Sequence, residues 1–492
     1  MTSEAGTAHQ TPDAISVRDP RTGLIDGAVT PPSSAELAGI AERARHAQPA
    51  WAARGFEGRI AVLQRLCAAL EARREEVRAA LEIDTGRRRV ADIEIDSVHG
   101  ALAGASASTG PFITTDWMPG RAAPHIRHSP QWLAYPLVGV ISPWNFPLLL
   151  SMIDAMPALV AGCAVIVKPS EVTPRFAAPV MAAVADVPEL KDLLIFVQGG
   201  GATGQALIDT VDCICFTGSV ATGRKVAVQA AGRLIPAFLE LGGKDPLIVL
   251  EGADLDAAAT AALRGCALST GQACQSIERI YVARSIHDEF LSRLVTLADQ
   301  VRLNWPDIRH GDIGPVIFDR QAETLRVQIE DARARGARIL TGGEIEPLGG
   351  GLWLRPTVIA DVDHDMAVMR DETFGPLLPV MAFDDEDEAV NLANFGDYGL
   401  SGAVFAADIE QAARVGRRIE AGAISLNDAA LTTLFYEAGK QSFKASGLGP
   451  SRMGADGLGR FLRRKALIAN TGRPLPIQAF AEDTAQATRS NS

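Results

Sequence analysis

Positive charge is scarce in this sequence. Lys and Arg total 47 against 59 Asp and Glu, a formal net charge of −12. With no basic patch to offset that field, a nucleic-acid partner is excluded. Lysine itself is rare, at 7 residues against 40 arginines. The six cysteines (Cys67, Cys163, Cys213, Cys215, Cys266 and Cys274) have no framework spacing, and Cys213-Ile214-Cys215 is too tight for a zinc pair. A disulfide scaffold is therefore not expected, and a reducing cytoplasm is. The 8 histidines form no HxxxH or HxxE cluster, so no metal is expected. Long apolar runs are missing too. The longest, Ala155 to Val167, falls short of the roughly 20 residues of a membrane span and is interrupted by Pro157 and Gly162. The first 14 residues are polar, without the apolar stretch of a signal peptide.

What is present is globular. At 492 residues and 47% apolar content the chain exceeds one ordinary core, so two or three domains are expected. Residues 35–107 carry helical periodicity, with Ile60, Leu63, Leu66, Cys67 and Leu70 on one face. From Leu137, short apolar strands at Val138–Ile141, Ala164–Val167, Leu194–Val197 and Cys213–Phe216 alternate with helical stretches, which predicts a doubly wound parallel sheet. A second α/β series begins near Lys244 and runs through Leu247–Leu250, Arg279–Val282 and Ala337–Leu340 to Ala423–Leu426. Two α/β domains with a cleft between them follow. Residues 111–136, with Trp117 and Trp132, read as a connecting or interface excursion, and residues 1–14 and 482–492 as mobile tails.

Three strand ends suit a dinucleotide. Lys168 and Glu171 in Lys-Pro-Ser-Glu end a buried strand, where an ammonium and a carboxylate can both reach ribose hydroxyls. Gly199-Gly200-Gly201-Ala202-Thr203-Gly204 is a close-approach loop that includes Gly201. Phe216-Thr217-Gly218-Ser219, with Gly223 further on, opens a helix whose N-terminus offers N–H groups to phosphate. Glu171 at a 2′-hydroxyl repels a 2′-phosphate and favours NAD, while Arg175 nearby keeps NADP open.

A second set of motifs carries chemistry. Cys274 in Gly-Gln-Ala-Cys sits on a turn after a helix expected from Asp254 to Leu268, started by Asp254 or Asp256. The turn sets this thiol apart from inert core cysteines, and as a nucleophile it needs a lowered pKa, from a bound cation or backbone dipoles. Glu240 in Leu-Glu-Leu-Gly-Gly-Lys is an acid in an apolar run, suited to activating the water that releases an acyl group. Asn145 in Pro-Trp-Asn-Phe-Pro has rigid neighbours that aim its amide, as an oxyanion donor requires. In Asp371-Glu372-Thr373-Phe374-Gly375-Pro376, Glu372 is placed to accept from a nicotinamide ribose while Phe374 packs against it.

As a set and in this order, these motifs resemble the NAD(P)-dependent aldehyde dehydrogenase superfamily, over about residues 15 to 475. The resemblance implies a Rossmann-like cofactor-binding domain (15–111 and 137–243), an α/β catalytic domain (244–445) and a small β oligomerisation element (112–136 and 465–480), with homodimers or homotetramers. It implies Cys274 as nucleophile, Glu240 as general base, and Asn145 with the Cys274 backbone N–H as the oxyanion hole. It also implies that Trp144 joins Lys168, Glu171, Gly218, Ser219, Gly223, Glu372 and Phe374 as cofactor contacts. The implied reaction takes an aldehyde to its carboxylate with NAD⁺ and water, through a cysteine thiohemiacetal and thioester.

The sequence departs from the family near the base. Ala267-Leu268-Ser269 stands where many members have Phe-x-Asn, and Asp154 and Ser451 replace a familiar lysine and glutamate. A proton relay built on that pair is therefore in doubt. By the same alignment, Leu149, Ile153, Leu268, Leu431, Thr432 and Phe435 are the candidate substrate-lining residues. They are mostly apolar, with no arginine to seat a second carboxylate, so an aliphatic or aromatic aldehyde is expected. Two alternatives stand beside this reading: a CoA-acylating enzyme, which has less need of Glu240, and a non-catalytic NAD-binding relative.

Overall fold

A computed structural model describes residues 13–482. The expected mobile tails, 1–14 and 482–492, lie almost wholly outside the described residues. After a hairpin of Ile15–Arg18 with Ile25–Val29 come four helices: Ser34–Ala52, Gly55–Ala72, Arg74–Thr85 and Arg88–Ala107. Ser33 starts the first with a capping box, accepting from the Glu36 amide while Glu36 accepts from its own N–H. The predicted apolar face buries Leu63, Leu66, Cys67 and Leu70. Ile60 is only half-buried, and Arg59 goes inside in its place. The Arg59 guanidinium can do so because it donates to the Val160 and Ala52 carbonyls, at 2.8 and 2.7 Å.

The strands from Leu137 onward form a six-stranded sheet. Its spatial order is Gly447–Leu448, Ala237–Glu240, Cys213–Thr217, Leu137–Ile141, Ala164–Lys168, Leu194–Phe196, parallel throughout except for the Gly447–Leu448 edge. Ala164–Lys168 and Cys213–Thr217 are buried along their whole length, which is why they read as unbroken apolar runs. The chain winds outward from Leu137–Ile141 on one side and then resumes on the other. This Rossmann-like order leaves a crevice at the carboxyl ends of Leu137–Ile141 and Cys213–Thr217. The apolar run Ala155–Val167 crosses no bilayer: it is the end of helix Pro147–Ala161, a turn at Gly162 (φ +105°) and the strand Ala164–Lys168.

The second series forms a seven-stranded sheet: Arg338–Thr341, Thr357–Ala360, Leu377–Phe383, Ile277–Ala283, Asp245–Val249, Gly402–Phe405, Ile424–Leu426. Only the Arg338–Thr341 edge pairs antiparallel. Residues 111–136 contribute Met118–Pro119 and Ile126–Ala134 to a three-stranded antiparallel sheet, completed by Leu462–Asn470 in register from Leu462 with Ala134 to Asn470 with Ile126. Among the described residues no helix is long and apolar enough to cross a membrane, and no group of three or more His, Cys, Asp or Glu could hold a metal ion.

Candidate active site

The crevice at the strand reversal opens into a cavity of about 140 Å³ between the two large sheets. Trp144 and Asn145 reach it from the end of Leu137–Ile141, Gly218 and Ser219 from the end of Cys213–Thr217, and Glu240 from the end of Ala237–Glu240. Cys274, Glu372 and Phe374 close it from the second α/β unit. Residues 230 positions apart in sequence thus meet in one space. Leu150, Leu241 and Gln321 also line it, and none of the three was anticipated.

The turn that carries Cys274 is under backbone constraint. Helix Leu255–Ala267 starts at Asp254, whose carboxylate accepts from the Asp256 and Ala257 amides. After it, Ser269, Thr270 and Gly271 all take positive φ, at 55°, 61° and 69°. Two non-glycine residues in that region persist only where surroundings over-determine them. Thr270 Oγ1 donates to the Gly314 carbonyl at 2.9 Å. Gln272 is fully buried, donating from Nε2 to the Ser269 and Pro315 carbonyls and accepting at Oε1 from the Ile317 amide. The motif's glutamine therefore ties the turn down, a role its sequence position did not reveal.

The thiol on that turn is half-buried. Burial pushes Cys274 up to about 11; the Arg452 and Lys440 charges act against this and those of Glu240 and Asp245 reinforce it. The expected lowering is absent from the protein's own groups, because desolvation outweighs the nearby cations.

Asn145 is 2% exposed, and its Nδ2 donates to the Gln272 carbonyl at 2.8 Å. One amide hydrogen is thereby fixed and the other remains for a ligand. Arg87 donates to the Asn145 carbonyl and lies over the Phe146 ring, 5.1 Å from its centroid. Glu94 Oε2 accepts from the Leu148 and Leu149 amides at the start of helix Pro147–Ala161. Burial holds the Glu94 carboxyl at about 7 and the Arg87 guanidinium down at about 10. These two buried side chains hold the Asn145 loop from behind, one at the Asn145 carbonyl and one at the Leu148 and Leu149 amides, and had no signature in the sequence.

Glu240 has a cationic neighbour. Arg452 Nε lies 3.6 Å from Glu240 Oε1, and Arg452 Nη2 reaches Asp154 Oδ2 at 3.4 Å and Thr217 Oγ1 at 2.5 Å. Arg460 donates to the other Asp154 oxygen. Asp154 is thus a buried ion-pair partner. Ser451 Oγ accepts from the Met453 amide at 3.0 Å and shapes a turn.

Toward the outer strands, Lys168 Nζ and Glu171 Oε2 pair at 3.0 Å. The Gly200 backbone runs beside that pair: a Cβ there would lie 3.8 Å from Glu171 Oε1. Gly201 follows, exposed, at the start of helix Gly201–Ile208. Ser219 is the N-cap of helix Val220–Gly232. Gly223 packs that helix against the neighbouring strand end, since a Cβ would stand 2.5 Å from Leu241. Lys168, Glu171, Gly201 and Gly223 do not line the cavity itself. Arg175 is committed elsewhere, its amide and guanidinium bound to Asp84 and its second Nη to Asp26, so it does not offset the Glu171 charge.

Trp144 and Phe374 meet edge to face at 5.3 Å. Phe374 adopts φ +51°, with its amide donating to Glu278 Oε1 at 2.8 Å. Glu372 is pushed up to about 8 by burial and by the Glu278 charge. Of the expected substrate-lining residues, Leu149 and Ile153 are half-buried, and it is Leu150 that faces the cavity. Leu268 and Phe435 are 44% and 52% exposed. Leu431 and Thr432 lie in a short helical turn, where the Thr432 hydroxyl meets Gln275, next to Cys274.

Comparison with known proteins shows the family. Residues 7–467 match the profile of the aldehyde dehydrogenase family. A Mycolicibacterium smegmatis protein named "Putative succinate-semialdehyde dehydrogenase [NADP(+)]" is 35% identical over 90% of this chain and 87% of its own. The solved structure of "Putative Aldehyde Dehydrogenase PutA" from Anabaena variabilis is 52% identical, with a TM-score of 0.92 over 94% of this chain and 99% of that one. Betaine aldehyde dehydrogenase from Staphylococcus aureus, solved in complex with NAD⁺, is 29% identical, with a TM-score of 0.87 over 94% and 93%.

Proposed function

The chain belongs to the aldehyde dehydrogenase family and is an NAD(P)-dependent aldehyde dehydrogenase, and from that membership we propose that Cys274, Glu240 and Asn145 carry its chemistry. The observation that carries the proposal is their convergence, from three separate strand and helix ends, on one cavity. Cys274 adds to the aldehyde carbonyl. The oxygen that becomes negative is met by the free Asn145 N–H, an interaction whose removal typically costs roughly 3 kcal/mol. After oxidation, Glu240 takes a proton from water as that water attacks the thioester carbon and frees the acid and the thiol.

The dinucleotide fits the residues that face it. Lys168 and Glu171 offer a donor and an acceptor to a ribose, the helix Val220–Gly232 presents its N-terminus beside Gly218 and Ser219, and Trp144, Glu372 and Phe374 frame the inner end. NAD(P)⁺ supplies the oxidising power when bound. The Glu171 carboxylate, unrelieved by Arg175, favours NAD over NADP.

The substrate reading follows from what surrounds Cys274. Leu150, Leu241 and Phe374 are apolar, and Arg452 is engaged by Glu240, Asp154 and Thr217, which favours an apolar aliphatic or aromatic aldehyde. One observation favours a second reading. Lys440 Nζ is buried with no hydrogen-bond partner among the described residues, and its charge acts on Cys274. A semialdehyde carboxylate could pair with it. The three-stranded sheet, with Leu133 and Ile468 exposed, is the surface proposed for homodimer or homotetramer assembly. Residues 15–111 with 137–243, and 244–445, are the proposed cofactor and catalytic domains.

The test is NADH formation from hexanal, benzaldehyde and succinate semialdehyde, with Cys274→Ala and Lys440→Met alongside. The reading requires no turnover in Cys274→Ala and a preference for the apolar aldehydes that survives Lys440→Met. Better turnover of succinate semialdehyde, lost in Lys440→Met, would establish the second reading instead.

A further inference from the structure

Four charged side chains form an alternating line from the cavity inward: Glu240, Arg452, Asp154, Arg460. Arg452 is 9% exposed and Asp154 and Arg460 are 1% exposed. Such a line survives burial because each charge has an opposite neighbour. Arg452 Nη2 is held by Thr217 Oγ1 at 2.5 Å, and Thr217 is in register with Glu240 on the adjacent strand. Arg460 is clamped between the Phe238 and Phe461 rings, at 5.4 and 4.8 Å, and fixes Asp154 on helix Pro147–Ala161. The contacts behind Arg452 are to the buried Asp154 and Thr217, and its remaining edge, with Nε free of any hydrogen bond, faces Glu240.

On the reading of Glu240 as general base, we infer that Arg452 is its positioning residue. The guanidinium holds the Glu240 carboxylate beside Cys274, and Asp154 with Arg460 brace the guanidinium. A base that has taken a proton from water must lose it before the next turnover. A guanidinium stays charged throughout, so it passes no proton itself. A fixed cation beside a carboxylate favours the charged form over the neutral acid. The other groups in this neighbourhood are the Cys274 thiol, Ser442 Oγ at 3.5 Å from Glu240, the Arg460, Lys440 and Asp245 charges, Tyr436, and Glu372 on the cavity wall. None of these is a cation in ion-pair contact with Glu240.

The test is the pH profile of kcat in the full-length enzyme with saturating NAD⁺ and benzaldehyde, for wild type, Arg452→Gln, Arg452→Lys and Glu240→Gln. Arg452→Gln is expected to move the acid limb up by about one unit or more, which is roughly a tenfold loss of kcat below it. It should also leave a burst of NADH, because deacylation becomes limiting. Arg452→Lys should recover most of the limb, and KM for aldehyde should change little in either. Should Arg452→Gln fail to fold, Thr217→Val, which removes the hydroxyl that holds Arg452 Nη2, carries the same readout. An unmoved acid limb in a variant that binds NAD⁺ would overturn the inference. So would loss of NAD⁺ binding in both variants, since Arg452 would then hold the fold and not the base. Glu240→Gln separates the two ideas. Normal deacylation there removes the general-base reading, whereas a stalled acyl-enzyme beside an unmoved Arg452→Gln limb removes only the role of Arg452.

Discussion

Lys244 Nζ lies 3.0 Å from Glu278 Oε2, with both side chains 2% exposed. The pair reaches across from the base-bearing segment to the loop that carries Glu372 and Phe374. Glu278 accepts from the Thr373 and Phe374 amides at 2.8 Å each, and Lys244 donates to Thr373 Oγ1 at 2.7 Å. The positive φ of Phe374 is maintained by these bonds. Lys244→Met leaves Glu278 without its cation. It is expected to cost about 3–5 kcal/mol of stability and to weaken NAD⁺ binding by releasing Phe374. Chemical denaturation and NAD⁺ titration measure the two effects. Unchanged NAD⁺ affinity would show that the loop does not depend on the pair.

The free thiol should be sluggish. With Cys274 pushed up to about 11, about 1 thiol in 10⁴ is ionised at neutral pH. Alkylation of the cofactor-free enzyme by iodoacetamide should therefore climb steadily with pH and show no plateau below about pH 10. NAD⁺ should accelerate it. Cys67, Cys163, Cys213 and Cys266 are buried, with thiols raised by burial, and should not compete. A plateau near neutrality in the absence of NAD⁺ would contradict this account of the thiol.

Stability should fall as pH rises. Glu372 is held at about 8, and Glu94, Asp84 and Asp245 at about 7, all by burial. A raised carboxyl pKa means the folded state binds a proton that the unfolded chain has already released. Stability is therefore lost from the ordinary carboxylate range, about 4 to 4.5, up through about 8. The melting temperature should be lower at about pH 8 than at about pH 6, and Glu372→Gln should flatten that slope. A slope of opposite sign, or one that Glu372→Gln leaves intact, would remove Glu372 as a cause.

The turn at Gly271 has no room for a side chain. At φ +69°, a Cβ would sit 2.3 Å from the Gly375 carbonyl carbon, a backbone atom that cannot rotate away. Gly271→Ala should destabilise the protein by more than about 2 kcal/mol. It should also lower kcat by displacing Cys274 and the Phe374 loop together. Denaturation midpoints and NADH kinetics report on each. A variant as stable and active as wild type would mean that the two turns do not constrain each other.

What the sequence made legible was local. Pro-Trp-Asn and Phe-Thr-Gly-Ser sit directly after strands legible in the sequence, whereas the strand Ala237–Glu240 was read only as an apolar run; the structure brings Trp144, Asn145, Gly218, Ser219 and Glu240 to one cavity. Strand limits moved by only one or two residues, some outward, as at Ile277–Ala283, and some inward, as at Leu194–Phe196 and Ile424–Leu426. What stayed hidden depends on partners far along the chain. Arg87 acts on Asn145 from 58 positions away and Arg279 on the Phe395 carbonyl from 116. Arg175 beside Glu171 looked available to a phosphate, but Asp84, 91 positions earlier, already holds it. Asp154 and Ser451 looked like a broken relay, while the group facing Glu240 is Arg452, one residue beyond Ser451. Leu149 was placed toward the substrate where Leu150 is found, because a one-residue step on a helix turns the side chain by about 100°.

The account rests on a thioester at Cys274 that Glu240 helps to hydrolyse. The most direct measurement is mass spectrometry of Glu240→Gln quenched during turnover of benzaldehyde with NAD⁺. The account predicts one acyl group per chain, carried on the peptide that contains Cys274 and removed by hydroxylamine. NADH formation with no acyl group on Cys274, or with the acyl group on another cysteine, would contradict it.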